Sequence, residues 1–127
     1  MSREHDWTPQ TLEDRVDRID SLEQIRQLPH RYALAVDSRN MDDLVELFVE
    51  NVRVGRNEVG REALGRWFSD TLGRIGTSIH FVGNHVIDFE DADHASGVVY
   101  CRDEIERPEA PRAAAPSRDA TPKRLVE

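Results

Sequence analysis

Apolar residues recur every three or four positions through Leu12, Val16, Ile19, Leu22, Ile25, Leu28, Tyr32 and Val36. That spacing stacks side chains on one face of an α-helix and predicts a long amphipathic helical region. Asp20 or Ser21, followed by Glu23 or Gln24, can cap a turn inside it, so one helix or two satisfy the pattern. Pro29 cannot donate to the carbonyl of Ile25 and its ring crowds that turn, which predicts a kink rather than a break. Ser38, Arg39 and Asn40 then supply turn chemistry, and Met41, Leu44, Val45, Leu47 and Phe48 predict a short second helix. Val52 and Val54 read as a short strand ending at Gly55. Ala63, Leu64, Trp67, Phe68, Thr71 and Leu72 predict a third helix, stopped by Gly73 and Gly76.

The period changes at Ser78. Strict alternation puts Ile79, Phe81, Gly83, His85, Ile87 and Phe89 on one face of a strand, and His80, Val82, Asn84, Val86 and Asp88 on the other. Neither face is simply polar, so helices on one side and a lined cavity or a partner on the other are both compatible with it. Glu90 to Asp93 make a turn, and Ser96 to Glu104 return as an antiparallel strand. After Glu106 four prolines and five alanines appear with no periodicity, a composition that cannot build a core. The chain therefore divides into a flexible N-terminus (1–10), one folded domain (11–106) and a disordered tail (107–127), consistent with 127 residues and a single core.

Charge narrows the partners. The net charge of −8, uneven between residues 1–106 (−10) and 107–127 (+2), argues against nucleic acid, whose phosphates need clustered Lys and Arg. No stretch reaches membrane-spanning length, and the polar start is neither a signal peptide nor an anchor, so no membrane contact is expected. The single cysteine, Cys101, allows no intrachain disulfide and points to a cytoplasmic setting. His30, His80, His85 and His94 show no metal-ligand spacing, so no metal is expected.

Three pieces taken in order, Ile25 to Asp37 (IRQLPHRYALAVD), Met41 to Phe48 (MDDLVELF) and His80 to Val86 (HFVGNHV), together with a helix start at Gly60 to Ala63, resemble SnoaL-like members of the nuclear transport factor 2-like superfamily. The resemblance covers roughly residues 10–106. It implies an α+β cone, with N-terminal helices packed on a curved antiparallel sheet around an apolar pocket for a small hydrophobic molecule. It also implies no cofactor, and homodimers through the sheet face. Family members usually continue through further long strands, which here look missing or replaced.

In dehydratase and dehydrochlorinase members, an Asp at the Asp37 position orients a His at the His80 position, and that His removes a proton from carbon. The chemistry stands without the family, since an imidazole near neutral pKa is a competent base and a carboxylate on its other nitrogen fixes the tautomer. Tyr32 sits where relatives carry a polar helper, and Trp67, Asn84 and Tyr100 are candidate substrate contacts. Each has a plainer reading. Asp37 can end a helix, His80 can be a satisfied strand histidine, Tyr32 and Trp67 lie on apolar helix stripes, and Asn84 can satisfy a backbone group. Two functions follow as expectations: a cofactor-independent lyase or isomerase of the dehydratase, isomerase or cyclase type, or a non-catalytic ligand-binding or dimerisation domain, degenerate if the late strands are lost.

Overall fold

A computed structural model describes residues 7–107 and, for the backbone, 122–126. The apolar stripe forms one uninterrupted helix, α1 (Leu12–Asp37), with Pro29 buried inside it. Thr11 caps its start by accepting from the Asp14 N–H, and Glu13 and Asp14 place negative charge where the helix dipole favours it. The second cap offered near Asp20 is not used; Gln24 instead donates to the Asp20 carboxylate across one turn at 2.8 Å. Arg39, in the left-handed region at φ 60°, ends α1, and its N–H donates back to Val36. A residue with a Cβ pays about 1–2 kcal/mol for that conformation, so its side chain needs compensating contacts.

Helix α2 (Met41–Glu46) starts at Asn40, whose side chain accepts from the Asp43 N–H. The predicted short strand is half of a small antiparallel ribbon, β1 (Arg53–Val54) with β2 (Glu58–Val59), turned through Gly55 at φ 63°. Helix α3 (Arg61–Leu72) runs from Gly60 to Gly73. The three helices close a core of Ala35, Val36, Leu44, Val54, Ala63, Leu64, Phe68 and Leu72, with Tyr32, Val45 and Phe48 packed against it. Leu44 is wholly inaccessible.

Strands β3 (Ser78–Phe89) and β4 (Ala95–Ile105) form the expected hairpin, and α1 packs on β3. The strict alternation expected along β3 does not hold. The pairing slips between Val82 and His85, a β-bulge, so Ser78, His80 and Val82 face the helices in the first half while His85, Ile87 and Phe89 do so in the second. An extra residue in one strand reverses the parity of everything beyond it.

Two further expectations change. The N-terminal half of the apolar stripe stays exposed, with Leu12 at 77%, Val16 at 59% and Ile19 at 66%, because the described sheet gives the stripe a partner only from about Leu22 onward. Within the segment expected to be disordered, residues Pro122–Val126 form β5, antiparallel to β4 and giving the order β3-β4-β5. The edge of β4 carries backbone donors and acceptors that a strand satisfies, and Pro122, which has no N–H, sits at the strand's first position. The rest of that expectation (108–121 and 127), and most of the one for 1–10, lie outside the described residues.

Candidate functional site

The end of α1 and the start of β3 meet at Asp37 and His80. Asp37 Oδ1 lies 2.7 Å from His80 Nδ1, and Oδ2 accepts from the His80 backbone N–H at 2.8 Å. An ionised carboxylate only accepts, so Nδ1 carries the hydrogen, and in the neutral ring the lone pair then sits on Nε2. Two contacts from one carboxylate, to the ring and to the backbone of the same residue, fix the imidazole in both position and tautomer. The His80 side chain is 7% exposed and that of Asp37 24%.

Sequence reasoning misses two supports of this pair. Ser78, buried at 3%, donates its hydroxyl to Asp37 Oδ1 at 2.9 Å, so Asp37 takes three hydrogen bonds. The Arg39 guanidinium donates to Ser78 Oγ at 2.8 Å, to the Val36 carbonyl at 2.6 Å and to the Gly76 carbonyl. Because the Ser78 oxygen accepts from Arg39, its own hydrogen is left to point at Asp37. The left-handed Arg39 thus ties the end of α1 to the start of β3. The only sequence signal for this was turn chemistry at 38–40, which says nothing of where the side chain goes.

Tyr32, one helical turn and a residue before Asp37, sets its ring edge-on to His80 at 6.1 Å between centroids and to Phe68 at 6.3 Å. Its hydroxyl is less acidic than an ordinary tyrosine's, first because burial disfavours the phenolate, then through the negative charge of Cys101, Asp103 and Asp37. Trp67 sets its ring edge to Phe68, at 5.0 Å between centroids, and is 51% exposed. Asn84 is exposed in the bulge. Tyr100, 52% exposed, lies on the face of the sheet turned away from His80, since it is an odd number of residues from Asp103, the direct cross-strand partner of His80. Tyr32, Asp37 and His80 are therefore brought together; Trp67, Asn84 and Tyr100 are not part of that cluster.

Asp103, unweighed from sequence, faces the other ring nitrogen: its Oδ2 is 4.0 Å from His80 Nε2. Counting back from the hairpin turn in the register of Phe89 with Ala95 would pair His80 with Glu104; the bulge moves the pairing to Asp103. Bulges leave little trace in a single sequence.

One cavity among the described residues lies apart from the pair around which the resemblance implies an apolar pocket. This cavity, of about 510 Å³, opens between the N-terminal half of α1 and the β3–β4 hairpin, lined by Asp17, Gln24, Leu28, Arg31, Phe89 and Asp93 among others, and neither Asp37 nor His80 borders it. Among the described residues no group of three or more His, Cys, Asp or Glu side chains is placed to hold a metal ion, and no helix is long and apolar enough to cross a membrane.

The profile of the SnoaL-like domain matches residues 17–119. Among solved structures, LinA superposes with a TM-score of 0.67 at 21% identity, covering 76% of this chain and 69% of that one. A candidate scytalone dehydratase from Novosphingobium aromaticivorans gives 0.65 at 18%, covering 76% and 67%. The hexachlorocyclohexane dehydrochlorinase LinA-type3 from Novosphingobium barchaimii gives 0.64 at 21%, covering 74% and 68%. At these identities the likeness is one of fold. No curated protein matches this chain by sequence.

Proposed function

This chain belongs to the SnoaL-like domain family, and we propose on that footing that it is a cofactor-independent lyase or isomerase of the dehydratase, isomerase or cyclase type, with His80 as the base that removes a proton from carbon. Its substrate is a small hydrophobic or aromatic carbonyl compound. The observation that carries the reading is the two-point hold of Asp37 on His80, at 2.7 Å to Nδ1 and 2.8 Å to the backbone N–H. That hold keeps the lone pair on Nε2 and supplies a negative charge beside the imidazolium that forms when the proton is taken. Tyr32, its phenol kept protonated, donates a hydrogen bond to the oxygen on which charge develops.

Deuterium exchange tests this. Small cyclic ketones are incubated with the protein in D₂O and loss of the α-proton is followed by NMR. His80→Ala and Asp37→Asn should each slow the protein-dependent exchange by about 10²-fold or more, the usual worth of a positioned base. Tyr32→Phe should have a smaller effect. Equal exchange in wild type and both dyad variants would sink the reading.

A second reading is favoured by a separate observation. The sheet face turned away from α1 exposes Ile79, Phe81, Val86, Val98 and Tyr100, with Phe81 at 54% and Val86 at 59%. Such a patch fits a homodimer, either of an enzyme or of a non-catalytic binding domain. A cytoplasmic setting completes the proposal, in keeping with a single cysteine.

A further inference from the structure

The bulge in β3 puts an acceptor where the proposed base would meet its substrate. His80 and Asp103 are direct cross-strand partners on the inner face. Their facing atoms, Nε2 and Oδ2, stand 4.0 Å apart, too far for a hydrogen bond between them. One heteroatom placed about 2 Å to the side of the line joining them stands about 2.8 Å from both, at hydrogen-bond distance. With Nδ1–H given to Asp37, Nε2 offers only a lone pair, and the Asp103 carboxylate offers only lone pairs. A gap flanked by two acceptors is completed by a group that brings hydrogens. The guanidinium of Arg39 does not relieve this, being committed to Ser78, Val36 and Gly76.

Resting on the reading of this end of the fold as the ligand site, we propose that Asp103 is its specificity-determining residue: it selects ligands carrying a hydroxyl and turns away carboxylates and ethers. In the substrate that hydroxyl stands next to the carbon whose hydrogen faces Nε2. The hydroxyl donates to Asp103 and stays in place, since a group donating to a carboxylate is not being protonated for departure. An ether oxygen adds a lone pair to a site already rich in them, and a carboxylate adds a second negative charge beside Asp103.

The test uses three matched probes, p-cresol, 4-methylanisole and p-toluate, titrated into the full chain and followed through the His80 and Asp103 backbone amides by NMR. Wild type should bind p-cresol about tenfold to a hundredfold more tightly than either other probe, the worth of a hydrogen bond to a charged acceptor. Asp103→Leu should erase that preference, and the near-isosteric Asp103→Asn should admit p-toluate. Equal affinities in wild type, a preference that survives Asp103→Leu, or no perturbation of the two amides by any probe overturns the proposal. These affinities do not depend on proton transfer. A preference for p-cresol together with ketone exchange that ignores His80 would uphold the role of Asp103 and remove that of the base.

Discussion

Asp37 takes part in more contacts than the role proposed for it requires. Its three donors come from Ser78, the His80 ring and the His80 backbone, and only the second was foreseeable from the positions of Asp37 and His80 in the chain. Ser78 and Arg39 could not be read because their roles depend on a left-handed turn and on where a long side chain then lands. Tyr32 offers a prediction at this scale. Its hydroxyl titrates above the ordinary tyrosine value of 10.0, so the folded state keeps a proton that the unfolded chain loses. The contribution of Tyr32 to stability is present in full below 10.0 and is lost as pH rises through the folded value. Ultraviolet titration of the phenolate band should show a late-titrating component in wild type that is absent in Tyr32→Phe. A titration curve whose late part is unchanged by Tyr32→Phe would contradict it.

The elements were legible where periodicity was long. A long helical region, a short helix after it, a third bounded by glycines and the β3–β4 hairpin all follow from spacing, which left open only whether the first region was one helix or two. Legibility fails where one residue changes the geometry: the bulge at Gly83 and Asn84 reassigns the faces of β3, β2 is only two residues long, and β5 lies in a proline- and alanine-rich segment. Gly97 marks the tightest strand approach. A Cβ there would come within 2.7 Å of the Val86 carbonyl oxygen and 3.5 Å of His85 Nε2. The backbone contact cannot give by a rotamer change, so Gly97→Ala should cost about 1–3 kcal/mol, as overpacking does. A lowered denaturant midpoint with an unchanged slope checks this; no change would mean that β4 slides freely against β3.

For the whole molecule, surface that stays apolar needs an explanation that the helical core does not give. The sheet's outer face and the first half of α1 both remain exposed, at Phe81, Val86 and Tyr100 on one and Leu12, Val16 and Ile19 on the other. If the outer face is the dimer surface proposed above, light scattering should return twice the 14.6 kDa chain mass, and Phe81→Glu should halve it while leaving the circular dichroism intact. A monomeric wild type across micromolar concentrations would remove the dimer from the proposal. The family's fold was readable from ordered motifs at 25–37, 41–48 and 80–86, whereas the position of the cavity was not, since it depends on how the far end of the hairpin leans on α1.

The dyad joins residues 43 apart in the chain, while the β3–β4 hairpin closes through the short turn at 90–94. Closing the longer loop costs more chain entropy, and nothing local rewards it until helix and sheet dock. During refolding, strand signals should therefore recover before the Asp37–His80 contact does. Any chain in which the Asp37–His80 contact is made has already completed that docking, which makes this contact a late reporter of the assembled fold.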